Sequence, residues 1–213
     1  MTPDGFEGTR IEYTRGKLLR SDLPSDPFEL LREWLKVAED SAEIEPSAMA
    51  LATVSEAGYP SSRMVLLRGI DETGVVFFTN YASRKGRDIE ATRHVAATLF
   101  WPSLQRQVRL EGDADRTSEK ESDDYFANRP YESQLASAAS RQSQPLTSEA
   151  EIETRIEELR QEHPLQVPRP SVWGGYHIYV REFEFWQGGP SRLHDRFRYR
   201  LQDGEWTIER LSP

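Results

Sequence analysis

The sequence predicts a mainly β fold with peripheral helices, in a single domain that spans residues 1–213. Three short β-rich runs, at 48–54, 62–70 and 75–79, follow one another at intervals of about ten residues, and turn residues close each of them. Near the end of the chain, Asp203-Gly204 separates two alternating segments, which is a strong hairpin signal. Short antiparallel strands joined by tight turns favour a meander that closes into a barrel.

Two helices are predicted in the first half of the chain, after an N-terminal segment of residues 1–20 that we expect to be flexible. The first covers residues 27–40, where Asp26 can cap it and apolar residues recur at helical spacing. The second covers residues 83–94 with Ser83 as its cap, and its first turn holds Arg84, Lys85 and Arg87. Cations at a helix N-terminus oppose the helix dipole unless an anion lies there, so the pattern indicates a bound phosphate.

The remaining elements alternate between strands and short helices. Strands are predicted at 96–101, 105–112 and 173–186, followed by a hairpin in which Phe197, Tyr199 and Leu201 pair with Trp206 and Ile208. Two short helices within 118–140 break at Arg129-Pro130, and another is marked by Ile152, Ile156 and Leu159. The total is about seven strands and four or five helices, with the helices packed outside a β-barrel core.

Composition narrows the possible functions. With 27 Lys+Arg against 36 Asp+Glu, the formal net charge of -9 argues against nucleic acid or an anionic membrane as the main partner. The chain has no cysteine, which excludes disulfides, thiolate metal sites and a thiol nucleophile. Residues 1–8 are polar and acidic, unlike a signal peptide, and no apolar run approaches the length of a membrane span. We therefore expect a soluble cytoplasmic protein without a metal site.

One segment departs from this acidic background. Between Ser191 and Arg200 there are four arginines, one histidine and one aspartate, and the segment follows directly after Gly188-Gly189. Arginine presents a planar fork of donors that suits phosphate or carboxylate, and a pair of glycines lets the backbone approach a ligand closely. The pattern indicates an anion pocket beside the end of a strand.

Other candidate residues have ordinary explanations when each is taken alone. Arg63 and Arg68 bracket an apolar strand and could simply reach water at its edge. Tyr125, Arg129 and Ser133 recur every four residues and could be polar groups on the surface of a helix. Several basic clusters in one acidic chain are harder to explain in this way, because unpaired cations in a folded protein need an anion to balance them.

A series of short motifs runs along the chain. They are Arg63-Met-Val-Leu-Leu-Arg68, Phe78-Thr79-Asn80, Ser83-Arg84-Lys85, Gln105-Arg106-Gln107-Val108, Tyr125-Phe126 with Arg129-Pro130, Ser140-Arg-Gln-Ser143, Trp173-Gly-Gly175, Glu184-Phe-Trp-Gln-Gly-Gly189 and Arg192-Leu-His-Asp-Arg196. In this order and spacing they resemble the motifs of pyridoxine/pyridoxamine 5'-phosphate oxidases, from about residue 10 to residue 213. Residues 192–196 are specific to that family, whereas the barrel motifs are shared with other flavin-binding relatives.

The resemblance implies an FMN-binding split β-barrel that forms a homodimer, with FMN in clefts at the subunit interface. It also implies oxidation of pyridoxine or pyridoxamine 5'-phosphate to pyridoxal 5'-phosphate with oxygen reduced to hydrogen peroxide, the final step of vitamin B6 cofactor synthesis and salvage. The residues that match the family's FMN contacts are Arg63, Met64, Val65, Leu66, Leu67, Arg68, Phe78, Thr79, Arg84, Lys85, Gln107, Gln142, Ser143, Trp186 and Arg196.

Substrate contacts follow from the same resemblance. The residues that match the family's contacts with the substrate phosphate are Arg68, Tyr125, Arg129 and Ser133. Arg192 and His194 would lie over the substrate ring as the candidate catalytic residues, and Arg10 and Tyr13 would belong to a flap over the bound substrate. The family usually has lysine at the position of Arg68, and arginine keeps the charge while changing the reach and the geometry of the donor.

Two other functions fit part of the pattern. A split-barrel reductase that uses FMN or a deazaflavin would keep the barrel motifs but has no reason to keep the whole set of Tyr125, Arg129, Ser133, Arg192 and His194. A non-enzymatic carrier or sensor for a flavin or a vitamin phosphate would use the same contacts, and the sequence leaves it open. The sequence also leaves open which of the two substrates is preferred and how Arg192 and His194 divide any proton transfer.

Overall fold

The computed structural model describes residues 12–213, which form nine strands and five α-helices. The strands are β1 (Ala48–Val54), β2 (Pro60–Leu66), β3 (Gly69–Ile70), β4 (Gly74–Asn80), β5 (His94–Trp101), β6 (Arg106–Arg116), β7 (Trp173–Gln187), β8 (Asp195–Gln202) and β9 (Glu205–Arg210). The helices are α1 (Pro27–Glu39), α2 (Arg84–Thr92), α3 (Glu119–Ala127), α4 (Tyr131–Ala139) and α5 (Glu149–Glu162). The predicted class, mainly β with peripheral helices, is confirmed.

One continuous segment brings the two ends of the sheet together. The strands follow the order β2-β1-β5-β6-β7-β4-β3, so β2 and β3 are the outermost strands of this path although they are consecutive in the chain. At the junction, the backbone N–H of Leu67 still bonds the Ser47 carbonyl beside β1, while the N–H of Arg68 already bonds the Val76 carbonyl of β4, both at 2.8 Å. The predicted single strand at 62–70 is therefore two strands, and the change of partner closes the barrel.

Strand β7 links the barrel to the C-terminal hairpin. Its first half pairs with β4, its last six residues pair with β8, and β6 runs along most of its length. In the hairpin, Asp203 and Gly204 both have positive φ, 51° and 84°, as the tight two-residue turn requires. Leu201 faces Trp206 and Tyr199 faces Ile208, which confirms the predicted pairing.

The helix boundaries follow from their caps. The Asp26 carboxylate accepts the Phe28 N–H at the start of α1, and the Ser83 hydroxyl accepts the Gly86 N–H at the start of α2. Helix α2 ends at Thr92, earlier than predicted, because Arg93 adopts φ 64° and directs the chain into β5.

Strand β6 is longer than the predicted run of 105–112. Gly112 does not end it as a turn residue but lies at a β-bulge, where the register with β7 shifts and the strand continues to Arg116. A Cβ atom at Gly112 would lie 2.1 Å from the Tyr179 carbonyl oxygen, so the close approach of the two strands requires glycine.

The main core lies between α1 and the sheet. Trp34 of α1 is 1% exposed and meets Phe185 and Trp101 edge-on at ring-centroid distances of 5.3 and 6.4 Å. The guanidinium of Arg106 covers the same indole at 4.5 Å. A smaller apolar cluster, which includes Phe126 and Trp173, lies under α3 and α4. No helix within residues 12–213 is long and apolar enough to cross a membrane.

The chain that precedes α1 contacts residues that lie far from it in the sequence. The Gln105 side-chain oxygen accepts the N–H groups of Thr14 and Arg15, and an Asp195 carboxylate oxygen accepts the N–H of Leu18. Leu18 itself is buried. The flexibility expected for residues 1–20 stays a prediction, and its first eleven residues lie outside the described part of the chain.

Replacing Trp34 by alanine should destabilise the fold. We expect W34A to lower the free energy of unfolding by about 3–5 kcal/mol, because it removes a fully buried aromatic ring and leaves a cavity between α1 and β7. Val37→Ala, on the solvent side of the same helix, should change it by no more than about 0.5 kcal/mol. Urea denaturation of both variants measures the difference, and a loss below about 1 kcal/mol in W34A would contradict the packing described here.

Candidate functional site

Polar side chains converge at the N-terminus of α2 around a buried lysine. The Lys85 ammonium donates to Gln142 Oε1 at 2.9 Å, Thr79 Oγ1 at 3.1 Å and Ser83 Oγ at 3.4 Å. The residue is 7% exposed, and the described part of the chain offers it no carboxylate partner. A buried ammonium bonded only to neutral oxygens carries an unbalanced charge, which favours a bound anion.

A half-buried arginine adds to this charge from strand β2. The Arg63 guanidinium donates to Thr53 Oγ1 at 2.7 Å and Ser61 Oγ at 2.6 Å, and the Asp88 carboxylate lies 3.9 Å away. Burial lowers the pKa of Arg63, and the charge of Arg84 lowers it further against the opposing effect of Asp88. Burial and the nearby Arg63 charge together lower the pKa of Lys85 to about 8.

The segment after α4 completes this group. Ser143 has φ 68° and its hydroxyl accepts the backbone N–H of Arg84, while Gln142 bridges Lys85 and Thr79. The structure thus brings together six predicted cofactor contacts, which we call the α2 cradle: Arg63, Thr79, Arg84, Lys85, Gln142 and Ser143. Backbone N–H groups of a helix N-terminus, hydroxyls and cations together suit a phosphate monoester.

An aromatic stack lies next to the cradle, one residue along β4. Phe78 stacks on Tyr125 of α3 with ring centroids 3.7 Å apart and planes 4° apart. The Trp173 ring lies beside this pair, nearly parallel to both rings, at 5.6 Å from Phe78 and 6.2 Å from Tyr125. The stack fixes Tyr125, a predicted substrate contact, at the edge of the cradle.

Two arginines lie beside this stack. The Arg129 guanidinium covers the Trp173 ring at 4.7 Å and donates to Ser137 Oγ at 2.7 Å. Burial lowers the pKa of Arg129, and the charge of Arg68 also lowers it, so the two cations lie close enough to repel each other. Ser133, one helical turn before Ser137 on α4, is half-buried. The structure therefore brings the predicted phosphate contacts to one region, with Arg129 bonded to Ser137.

Two clefts meet at Phe78. The larger, of about 440 Å³, is lined by Arg68, Phe78 and Tyr125 together with polar residues of α3. The smaller, of about 290 Å³, is lined by Phe78, Arg129 and residues of the α2 cradle that include Thr79 and Gln142. The shared ring therefore joins a cleft that Arg68 lines to a cleft that Arg129 lines.

A third set of predicted residues forms a row across the other end of the sheet. Gln107 of β6 faces Trp186 of β7, and Trp186 faces Arg196 of β8. The rings of Tyr13 and His194 lie over the same surface, 5.7 and 4.6 Å from the Trp186 ring. Gly188 makes room for this arrangement, because a Cβ atom there would lie 2.9 Å from the Tyr13 ring.

The hydrogen bonding of His194 defines its tautomer. The backbone N–H of Gly189 donates to His194 Nδ1 at 3.1 Å, so Nδ1 is an acceptor and the neutral ring carries its proton on Nε2. Burial, together with the charges of Arg192 and Arg196, lowers the pKa of His194. A neutral imidazole with Nε2–H is suited to donate a hydrogen bond rather than to accept a proton.

The backbone before His194 is strained. Ser191 and Arg192 have positive φ, 53° and 63°, in two consecutive residues that carry a Cβ atom. Such strain recurs where structure holds a functional side chain in place. Arg192 is exposed here, at the rim of the Trp186 surface.

The structure does not bring all the predicted residues to one place in the chain. Thr79 faces Gly174 of β7, whereas Trp186 lies twelve residues farther along that strand, up to about 40 Å away in an extended chain. Along β2, Met64 is exposed, Val65 and Leu66 are half-buried, and Leu67 points into the core. Arg10 lies outside the described residues.

Sequence reasoning did not assign two residues that the structure places in the site. Trp173, under Arg129 and Phe78, was part of a motif but had no role. Ser137, the partner of Arg129, lies four residues after Ser133 and so on the same helix face. That spacing was the available signal for Ser137, but the sequence gives no reason to choose one serine over the other.

Family models match most of the chain. The model described as pyridoxamine 5'-phosphate oxidase matches residues 34–163, and the model described as the pyridoxine 5'-phosphate oxidase C-terminal dimerisation region matches residues 173–213. The chain is 50% identical over 204 residues to a pyridoxine/pyridoxamine 5'-phosphate oxidase of Mannheimia succiniciproducens, covering 96% of this chain and 97% of that one. It is 48% identical to the enzyme of that name from Neisseria meningitidis serogroup B over the same shares.

Solved structures show the same fold. PhzG from Burkholderia lata, in complex with tetrahydrophenazine-1-carboxylic acid, is 34% identical with a TM-score of 0.88, covering 92% of this chain and 98% of that one. A pyridoxamine 5'-phosphate oxidase-related, FMN-binding protein of Nostoc punctiforme is 17% identical with a TM-score of 0.72, covering 90% of this chain and 100% of that one. The second likeness concerns the fold alone.

His194 should be neutral at pH 7 with its proton on Nε2. In the protein labelled with ¹⁵N-histidine, we expect the His194 signals to show a protonated Nε2 and an unprotonated Nδ1, and to titrate with a midpoint below 6.5 because its pKa is lowered. The missing signals in His194→Gln identify the residue. A protonated Nδ1 at pH 7, or a midpoint above 6.5, would be incompatible with the geometry.

Proposed function

The chain belongs to the pyridoxamine 5'-phosphate oxidase family, and on that basis we propose that it oxidises pyridoxine or pyridoxamine 5'-phosphate to pyridoxal 5'-phosphate with FMN as cofactor. Oxygen is reduced to hydrogen peroxide, and the reaction is the last step of vitamin B6 cofactor synthesis and salvage. The observation that carries the proposal is the presence of two separate cationic groups, Lys85 with Arg63 in the α2 cradle and Arg68 with Arg129 beside the Phe78 stack, because both ligands of this reaction carry a phosphate.

The α2 cradle is the proposed site of the FMN phosphate. Lys85 is the strongest support, since its buried charge has only neutral partners and a phosphate would balance it. Arg63 and Arg84 add charge, and the hydroxyls of Thr79 and Ser143 can donate to phosphate oxygens. The basic groups suit a monophosphate, and the chain has no cysteine for covalent attachment of a flavin.

The substrate phosphate would bind between Arg68, Tyr125 and Arg129. The charges of Arg68 and Arg129 lie close enough to repel each other, and a phosphate dianion would relieve this repulsion. Ser133 is the predicted fourth contact, and Ser137 already holds Arg129 in place. Arg68 can bind two phosphate oxygens at once, which the lysine usual at this position cannot do in the same geometry.

A second copy of the chain would complete each site. The predicted flavin contacts Gln107, Trp186 and Arg196 lie toward the end of β7 opposite to the residues that face the α2 cradle, and we propose that each flavin binds between the cradle of one chain and this row of another. The match of residues 173–213 to a dimerisation region supports a homodimer. In the proposed arrangement, the cradle of one protomer faces the Trp186 surface of its partner.

The chemistry requires binding and orientation more than acid or base groups. Bound FMN would accept a hydride equivalent from the exocyclic carbon of the substrate and pass two electrons to oxygen. The residues of the protein would place that carbon against the flavin: the two arginines hold the phosphate, and His194 donates a hydrogen bond from Nε2 to the ring. Arg192, which is exposed beside His194, would cover the face of the substrate that points away from the flavin and exclude water from it.

An oxygen-uptake assay tests the proposed function. With FMN and pyridoxamine 5'-phosphate, we expect oxygen consumption matched by hydrogen peroxide and pyridoxal 5'-phosphate. Arg192→Ala and His194→Ala should each lower kcat/KM about ten- to a hundredfold, because each removes a contact worth about 1.5–3 kcal/mol, while FMN binding changes little. Binding of the vitamin phosphate without oxygen uptake would point to a carrier, and turnover of another substrate alone would point to a reductase.

Binding of FMN should weaken as Lys85 loses its proton. The lowered pKa of about 8 belongs to the ligand-free protein, and a bound phosphate would raise it, so binding takes up a proton above pH 8. The Kd for FMN should therefore rise between pH 7.5 and 9, by up to about tenfold per pH unit above 8. The phosphate itself titrates near pH 6 and does not contribute in this range.

Fluorescence titration at several pH values measures this dependence. Lys85→Gln should bind FMN more weakly at pH 7.5 and show little further change up to pH 9. A Kd of the original protein that stays constant across this range would separate Lys85 from the flavin phosphate.

A further inference from the structure

We propose that Glu184 is a positioning residue for the flavin, which acts by holding the guanidinium of Arg196. The inference rests on the proposed function, in which Arg196 contacts FMN. Along β7, Glu184 and Trp186 point to the same outward face, since Phe183 and Phe185 between and beside them are buried in the core. Glu184 itself is 8% exposed.

The contact between Glu184 and Arg196 has the geometry of a fork. Arg196 Nε donates to Glu184 Oε1 at 2.8 Å and Arg196 Nη2 donates to Glu184 Oε2 at 3.1 Å. The third nitrogen, Nη1, donates to the Ser212 carbonyl oxygen at 2.7 Å. Contacts at all three nitrogens leave the planar group no freedom to rotate, and the remaining N–H groups have fixed directions.

Glu184 also sets the local charge. Arg109 Nη1 on the neighbouring strand β6 donates to Glu184 Oε2 at 3.2 Å, so one carboxylate lies between two guanidinium groups. The bond to Glu184 raises the pKa of Arg196, as expected for a paired cation. Without the carboxylate charge, Arg109 and Arg196 would repel each other, and Arg196 would move from its place beside Trp186.

Glu184 acts through Arg196 rather than on the ligand. Gln107, Trp186 and Arg196 form the row that is proposed to meet the flavin, and Glu184 lies one step away from it, opposite Arg109 and Arg198 in the strand register. Its two oxygens are occupied by arginine donors. The function inferred for it is therefore to hold a contact residue in one orientation.

Strand β7 offers a matched control two residues before Glu184. Glu182 points to the same face and lies between two arginines as well, Arg200 at 3.1 Å and Arg198 at 4.0 Å, but it makes no ion pair with Arg196. Glu182→Gln makes the same chemical change as Glu184→Gln, a carboxylate replaced by an amide of equal size. A difference between the two variants therefore reports the contact with Arg196 rather than the loss of one charge from the sheet.

A double-mutant cycle on FMN affinity tests the inference. The Kd for FMN is measured by flavin fluorescence in the original protein and in Glu184→Gln, Arg196→Gln, the double variant and Glu182→Gln, with thermal unfolding as the check on folding. We expect Glu184→Gln to raise the Kd about tenfold, because the amide can accept only one of the two fork bonds. In the Arg196→Gln background the same change should raise it by less than about twofold, and Glu182→Gln should also stay within about twofold.

Three results would overturn the proposal. The first is an unchanged Kd for FMN in Glu184→Gln, and the second is an unchanged Kd in Arg196→Gln. The third is an equal increase of the Kd when Glu184→Gln is made in the original protein and in the Arg196→Gln background. If Glu184→Gln does not fold, Glu184→Asp replaces it in the cycle, because it keeps the charge but shortens the reach, and the same criteria apply. Oxygen uptake by the original protein is measured separately, so failure of this inference is distinguishable from failure of the proposed oxidase activity.

Discussion

The change of partner at Leu67-Arg68 is the constraint on which the site depends. Because residues 60–70 pair first with β1 and then with β4, they join the two ends of the sheet and close the barrel. Arg63 lies before this junction and reaches the α2 cradle, while Arg68 lies at the junction and reaches the larger cleft. The segment that closes the fold therefore also sets the distance between the two proposed phosphate sites.

The cost of burying positive charge is the second link between fold and function. Lys85, Arg63 and Arg129 all have lowered pKa values, and burial is the first cause in each. A protein stabilised only by its own contacts would gain by replacing such groups with apolar residues of similar size. The presence of these cations in an acidic chain, where Arg63 alone of the three has the Asp88 carboxylate at 3.9 Å, is explained if phosphate groups offset the cost when they bind.

Local signals made much of the fold predictable. The caps Asp26 and Ser83, the break at Arg129-Pro130 and the Asp203-Gly204 turn each act within a few residues, and each has the predicted effect. Contacts between distant residues were not predictable in this way. The exchange of partner within residues 60–70 depends on the approach of β1 and β4, and the continuation of β6 past Gly112 depends on the facing backbone of β7.

The same distinction, between local signals and contacts of distant residues, holds for the candidate site. The motif resemblance selected residues that the structure brings into the α2 cradle, the Phe78 stack and the Trp186 row. It could not show that Arg129 bonds Ser137, nor that Glu184 holds Arg196, since both contacts depend on side-chain directions across separate turns or strands.

Strand β7 makes a second chain necessary for the proposed site. Strand β7 pairs with β4 at one end and with β8 at the other, so its backbone fixes the cradle-facing residues and the Trp186 row at different points along one strand. On β1, the small side chains of Ala48, Ala50 and Ala52 are half-buried and alternate with buried Met49 and Leu51. Small side chains allow close approach of another surface, and a two-fold pair would use each chain once as cradle and once as cover. In a two-fold pair, each chain keeps its own sheet intact, and the cradle of one chain and the Trp186 row of the other together form the proposed flavin site.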